Sequence, residues 1–284
     1  MPTPSTTSDR VWRVTQDGAA IRDEVVAIEE PLAIRIDGVV ASVTMRTPGA
    51  DRELAIGFLR AERVISSADD VVHAAADTGA DGVDAIDVRL GDSARSRFVT
   101  SRRATIASTS CGLCGVVDIN RLIADVPLVE RSGGDSRLVV AASTLLNLPD
   151  AMRREQAAFE RTGGLHAAAL VDLGVAGGAD AERAIEVCRE DVGRHNAVDK
   201  VIGWATLRRV GWLGRSALVV SGRTSFEIVQ KSAVAGVPIV VAVSAPSSLA
   251  IDCARRAGIT LVGFVRAGAM NVYSGFERLE GKGG

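Results

Sequence analysis

Hydrophobic positions along this chain fall into short runs, and their arrangement changes near residue 149. Leu32-Ala33-Ile34-Arg35-Ile36 runs into Asp37-Gly38, and Val39 to Met45 follows. Two strand-like runs about an Asp-Gly pair predict a β-hairpin. Thr47-Pro48-Gly49 stops the second strand. Asp51 stands where a helix cap is needed, and Leu54, Ile56, Phe58 and Leu59 predict a helix through Arg60. Residues 66–83 are small and polar and read as a surface segment, whereas Ala85 to Leu90 alternates like a short strand.

From Pro149 the organisation becomes regular. Asp150 to Arg161 reads as a polar helix ended by Gly163-Gly164. His166 to Asp172 and Ala184 to Arg189 read as partner strands, joined through a Gly-rich turn over Leu173 to Ala179. A helix is expected from His195 to Arg209, with Val198, Val201, Ile202 and Leu207 inward. Strands at 217–221, 237–243 and 260–264 then alternate with helices closed by Gly236 and Gly258. Short, nearly all-apolar strands separated by helices of about ten residues indicate a parallel sheet covered on both faces. The order predicted after an opening helix is β-β-α-β-α-β. The divisions expected are a disordered tail (1–10), a small mixed α+β domain (11–107), a cysteine loop and connection (108–148), an α/β domain (149–276) and a closing tail (277–284).

Composition narrows the function classes. Among 284 residues the formal charge is −2, so no whole-protein attraction to nucleic acid or anionic membrane is expected. No apolar run reaches about 18 residues, and residues 1–10 lack a signal-peptide core. The four cysteines do not make a disulfide framework in a chain of this size, and a cytoplasmic location is expected.

Two places carry candidate chemistry. Cys111-Gly112-Leu113-Cys114-Gly115 follows Ser108-Thr109-Ser110, a setting that leaves thiols accessible. Zinc normally needs four ligands, and Cys188 and Cys253 stand singly, so zinc is disfavoured within one chain and no metal ligand is assigned. Glycine after both cysteines fits a fixed dithiol redox centre less well than a mobile sulfur-carrying arm. The second place is the edge where the parallel strands end. Ser221-Gly222-Arg223-Thr224-Ser225, Ser244 to Ser248 and Arg266-Ala267-Gly268-Ala269 bring glycines, hydroxyls and arginines to that edge, and two of these loops open helices whose free N–H groups favour an anion. Without a Walker or GxGxxG pattern, spacing names no particular nucleotide.

CGLCG, Thr162-Gly-Gly-Leu-His166-Ala-Ala-Ala, Glu190-Asp-Val-Gly-Arg-His-Asn-Ala-Val-Asp-Lys200, Ser221-Gly-Arg-Thr-Ser225 and the segment Phe264 to Tyr273, in that order, resemble the FdhD family of formate dehydrogenase accessory sulfurtransferases. The resemblance spans about residues 20 to 276. It implies a cytidine-deaminase-like three-layer α/β/α domain beside a smaller N-terminal α+β domain, α+β overall. It also implies a homodimeric sulfur carrier. Such a protein takes sulfur from a cysteine desulfurase as a persulfide and passes it to the molybdenum (or tungsten) bis-pterin guanine dinucleotide cofactor of formate dehydrogenase, which it binds as substrate. Carried over, Cys111 bears the persulfide and Cys114 is its partner. Phe264, Val265, Arg266, Ala267, Gly268 and Ala269 match the cofactor-binding segment, which Ser221, Gly222 and Arg223 extend at the neighbouring strand end. The zinc motifs of cytidine deaminases have no counterpart at His195-Asn196-Ala197 or at Ser221 to Ser225. A non-catalytic cofactor chaperone and a dimeric zinc-binding structural protein are the competing readings.

Overall fold

A computed structural model describes residues 4–79, 82–104, 126–129, 138–174 and 184–280. Three sheets and seven helices occur among them. The first sheet is a two-stranded arm, β1 (Thr6–Thr15) paired antiparallel with β2 (Gly18–Ala27). Residues 6–10, expected in a tail, therefore belong to a strand. The register puts Trp12 opposite Ile21, and with Val14 they remain exposed. Alternation on this arm is sparse, which hid it from the pattern.

The second sheet has the order β4-β3-β6-β5. Strands β3 (Glu30–Ile36) and β4 (Val39–Arg46) form the predicted hairpin. Both turn residues, Asp37 (φ 49) and Gly38 (φ 78), are left-handed, as a two-residue turn matched to strand twist requires. Strand β5 (Val71–Thr78) forms the middle of the stretch 66–83 that reads as a surface segment, and it pairs antiparallel with β6 (Asp84–Leu90). Its alanines and polar residues carry no strong alternation, so pairing with β6 rather than local pattern defines it.

Helix α1 (Asp51–Ala61) buries Leu54, Ile56 and Leu59 against Leu32, Ile34 and Val88 of this sheet. Asp51 does not cap it: Ala50 is the cap residue, and the Asp51 carboxylate instead receives two hydrogen bonds from Arg46 (3.1 and 3.0 Å). The fully buried Arg46 also reaches Glu30 (3.1 Å) and Asp84 (2.9 Å), tying β3, β4, β6 and α1 together. Helix α2 (Asp92–Ala104) completes this part of the chain and was not anticipated.

The third sheet has six strands in the order β12-β11-β10-β9-β7-β8. Strands β9 (Ser216–Val220), β10 (Ile239–Ala242) and β11 (Thr260–Arg266) run parallel, as expected. Strand β7 (His166–Asp172) is antiparallel to both β9 and β8 (Ile185–Asp191), so β8 ends at the same edge as β9. After the opening helices the order is β-β-α-β-α-β-α-β, one helix and one strand longer than predicted, and β12 (Ala269–Ser274) then folds back antiparallel on β11. Its turn residues Ala267 (φ 50) and Gly268 (φ 73) are both left-handed. An Ala-Gly pair does not advertise a hairpin as Asp-Gly does, and the strand escaped notice.

The faces of this sheet divide residue by residue. Ala167, Ala169, Val219 and Val241 point toward α3 (Ala142–Arg154), while Ala168, Leu170, Leu218 and Val240 point toward α5 (Arg194–Leu207), α6 (Phe226–Ala235) and α7 (Ser248–Ala257). This is the two-faced burial that nearly continuous apolar strands demand. Helix α3 starts earlier than predicted and passes through Pro149. Leu145, Leu148 and Met152 share one buried face, and that packing outweighs the hydrogen bond the proline cannot donate. A separate helix, α4 (Ala157–Thr162), ends at Gly163 (φ 64). Among the described residues no helix is long and apolar enough to cross a membrane.

Helices α1 and α5 cross at two glycines, which joins the two larger sheets. A Cβ on Gly57 would lie 1.8 Å from the Asp199 carbonyl oxygen, and one on Gly203 would lie 1.8 Å from that of Glu53. No side-chain rotation relieves a clash with backbone, so Gly203→Ala should lower stability by about 1–3 kcal/mol or more in urea unfolding. Gly211, with nothing within 4 Å of an added Cβ, is the control, and Gly211→Ala should change stability by less than about 0.5 kcal/mol.

Candidate functional site at the strand-end edge

The segment Glu190 to Lys200 links the two larger sheets and aims the site. The Asp191 carboxylate, fully buried, accepts from the Gly193 N–H (2.8 Å), Asn196 Nδ2 (3.0 Å) and the Thr47 N–H (3.2 Å), and it pairs with Lys200 Nζ at 2.7 Å. Lys200 also donates to the carbonyls of Thr47 (2.9 Å) and Glu190 (3.2 Å). Asn196 Nδ2 donates to the Met45 carbonyl at 2.7 Å. Glu190 accepts from the N–H groups of Ala158 (2.9 Å) and Phe159 (2.6 Å), where negative charge suits the start of α4. The polar cluster around His195 is thus chiefly a structural clamp between the end of β4, the end of β8 and the start of α5.

His195 itself connects two helix starts. Its Nε2 lies 3.1 Å from Ser225 Oγ, and its Nδ1 lies 3.3 Å from Glu227 Oε2. Ser225, at the cap position of α6, makes no cap hydrogen bond, whereas Ser247 does cap α7 by accepting from the Ala250 N–H (3.2 Å). Behind this pair, Lys231 donates to both oxygens of Asp199 (2.7 and 2.8 Å) and is buried. Burial opposes the Lys231 ammonium, but the carboxylates of Asp199 and Glu227 outweigh it and raise its pKa.

A cavity of about 570 Å³ opens at the ends of β9, β10 and β11, beside the first residue of β7. That volume lies in the usual range for small-molecule sites. Of the expected cofactor-binding residues, Ser221, Val265, Arg266 and Ala267 line it. Phe264, Gly268 and Ala269 belong to the β11–β12 hairpin but do not line the cavity; Phe264, in a left-handed conformation (φ 53), donates its N–H to Ser244 (3.2 Å). Gly222 and Arg223 lie next to the cavity, on the side of His166. A Cβ on Gly222 would approach His166 Nδ1 to 3.4 Å and Arg194 Cδ to 3.8 Å, so glycine permits close packing there. Cys111 and Cys114 lie outside the described residues. So does most of the Gly-rich turn after Leu173.

The electrostatics of this edge favour an anion. Burial lowers the His166 pKa, and the guanidinium groups of Arg194 and Arg223 lower it further. His166 is therefore a neutral imidazole near neutral pH, beside fixed positive charge. Among the described residues, Arg194 Nε and Thr224 Oγ1 are buried without a hydrogen-bond partner, and Thr224 is almost fully buried. Unpaired polar atoms of this kind are costly and need a partner. The edge therefore offers cationic and hydrogen-bonding groups that the fold itself leaves unused. His166, the first residue of β7, lines the cavity. Asp150, Arg153, Gln156 and Phe159 also line it and were not foreseen. Only the helical spacing of Asp150 and Arg153 could have paired any of them.

A profile of the FdhD/NarQ family matches residues 27–280. The chain belongs to the FdhD/NarQ family. Among its relatives, the sulfur carrier protein FdhD of Mycobacterium tuberculosis is 46% identical over 285 residues, covering 97% of this chain and 99% of that one. The protein of the same name from Streptomyces coelicolor is 43% identical over 282 residues, covering 95% and 94%. A crystal structure described as a candidate formate dehydrogenase accessory protein from Desulfotalea psychrophila is 26% identical, with a TM-score of 0.73, covering 97% of this chain and all of that one.

Within this FdhD/NarQ member, the two described cysteines are poor nucleophiles. Burial pushes the Cys188 thiol up to about 12, aided by the charges of Glu190 and Glu155, and pushes Cys253 up to about 11. A raised thiol pKa means less thiolate at a given pH. In the folded protein at pH 8, iodoacetamide should therefore modify Cys188 and Cys253 at least about a hundredfold more slowly than in urea, as read by peptide mass spectrometry. Lys200→Met strands the Asp191 carboxylate in the clamp and should cost about 3–5 kcal/mol in urea unfolding.

Proposed function

We propose that this chain is a sulfur carrier that receives sulfur from a cysteine desulfurase on Cys111 and delivers it to the molybdenum (or tungsten) bis-pterin guanine dinucleotide cofactor of formate dehydrogenase. The observation that carries the reading is the strand-end cavity. Val265, Arg266 and Ala267 line it, and Arg194, the first residue of α5, and Thr224, in the loop after β9, carry polar atoms with no hydrogen-bond partner among the described residues. Membership of the FdhD/NarQ family, and relatives named as sulfur carriers, support the chemistry. A phosphate-bearing ligand suits an edge where helices begin and guanidinium groups gather.

Sulfur transfer then runs in two balanced exchanges. The Cys111 thiolate attacks the outer sulfur of the donor persulfide. The donor S–S bond breaks, the donor thiolate leaves, and Cys111 becomes a persulfide. The Cys114 thiolate next attacks Cys111 Sγ. Hydrosulfide leaves for the cofactor, and a Cys111–Cys114 disulfide forms, which a cellular thiol reductant returns to the dithiol. Arg223 and Arg266 hold the phosphates.

The test is incubation with a cysteine desulfurase and cysteine, followed by intact-protein and peptide mass spectrometry. One added sulfur, about 32 Da, is expected on the Cys111 peptide. Cys111→Ala should abolish both this adduct and activation of formate dehydrogenase. If Cys111→Ala and Cys114→Ala both activate formate dehydrogenase like the wild type, a non-catalytic cofactor chaperone takes the place of the carrier.

A further inference from the structure

We infer that Ser225, His195 and Glu227 form a second reactive centre, a nucleophilic serine that takes an acyl group from an ester or thioester. The three lie at the starts of α5 and α6 and do not line the strand-end cavity, so this activity is separate from sulfur transfer. Ser225 Oγ lies 3.1 Å from His195 Nε2, and His195 Nδ1 lies 3.3 Å from Glu227 Oε2. A hydroxyl, an imidazole and a carboxylate in that order are the parts of an activated serine. Glu227 Oε2 is buried and has no hydrogen-bond partner among the described residues, which leaves its charge to act on the imidazole. Glu227 Oε1 lies 3.4 Å from Lys231, whose ammonium is already held by both oxygens of Asp199. A carboxylate on the Nδ1 side draws the ring proton to that nitrogen. Nε2 is then free to accept from the Ser225 hydroxyl.

Ser247 holds the same position at the start of α7 and shows what a purely structural serine does there. Its Oγ accepts from the Ala250 N–H, as cap serines normally do. Ser225 makes no such bond, although its backbone is equally extended (φ −90°, ψ 170° against φ −81°, ψ 161°). Its hydroxyl is committed to the imidazole instead, and the first N–H groups of α6 are left without a capping side chain. Those N–H groups stand beside the nucleophile, where an oxyanion would develop. The side chains of His195 and Glu227 are each 15% exposed and Ser225 is partly exposed, so the centre is sheltered but open on one side. In the reaction, Ser225 Oγ attacks the carbonyl carbon while its proton passes to His195 Nε2. The C–O or C–S bond breaks, and His195 returns the proton to the leaving alcohol or thiol. Water, deprotonated by His195, then releases the acid and restores the hydroxyl.

The test is incubation of the full chain with a fluorophosphonate probe, followed by peptide mass spectrometry. The reaction forms an Oγ–P bond and expels fluoride, and it should fall on Ser225, with Ser247 at least about tenfold slower. His195→Gln, checked for wild-type unfolding in urea, should slow labelling of Ser225 about 100-fold or more. With thiols first blocked by iodoacetamide, Ser225→Ala should hydrolyse p-nitrophenyl acetate at least about tenfold more slowly than the wild type. The comparison of the two serines uses the unaltered chain and so depends on no variant's folding. An unlabelled Ser225, equal labelling of Ser225 and Ser247, labelling of His195→Gln at the wild-type rate, or undiminished ester hydrolysis by Ser225→Ala would each overturn the inference.

Discussion

The buried pair of Asp191 and Lys200 is the contact on which the rest of this molecule depends. Two opposite charges removed from water are worth little unless their remaining hydrogen-bonding capacity is used. Here it is: Asp191 accepts from Gly193, Asn196 and Thr47 as well as from Lys200, and Lys200 donates to two backbone carbonyls. Three of the partner groups are backbone atoms of Thr47, just past the end of β4, and of Glu190 in β8. The pair therefore fixes the orientation of α5 relative to β4 and β8. The glycine crossing of α1 and α5 is possible only with that orientation, because Gly57 and Gly203 admit the facing backbone and nothing larger.

From this clamp the geometry of the strand-end edge follows. The start of α5 carries Arg194 and His195 away from the clamp. His195 reaches Ser225 and Glu227 at the start of α6, so the two helix starts hold a set spacing. Arg194 comes to rest near His166, with Gly222 leaving room for both. A chain with a formal charge of −2 thus concentrates Arg194, Arg223 and Arg266 at one edge of one sheet. The attraction to an anion is local, and it is reinforced by polar atoms that the fold leaves unpaired.

Legibility in the sequence followed the strength of local signals. The β3–β4 hairpin was readable because Asp37-Gly38 can adopt the left-handed turn, and the helices closed by Gly236 and Gly258 were readable for the same conformational reason. Strand β5 was not, since its pattern is set by pairing with β6 and not by its own residues. Helix α3 was cut short at Pro149 because a proline signal is local, whereas the burial of Leu145, Leu148 and Met152 that overrides it is tertiary. At the site, the loops bearing Ser221 and Arg266 were readable from strand order alone. The Glu190–Lys200 segment was recognisable as important, but its structural share depends on Thr47 and Met45, about 150 residues earlier in the chain. No sequence spacing links residues so far apart. The cavity wall of Gln156 and Phe159 depends in the same way on α4 turning back beside β7, guided by Glu190.

The central claim is that the strand-end cavity is where the phosphate-bearing acceptor of sulfur docks. A crystal structure of the protein soaked with GDP tests it most directly. The account predicts difference density inside the cavity, with the diphosphate beside Ser221 and Arg266. Density at another surface, or a well-occupied GDP that leaves this cavity empty, would contradict it.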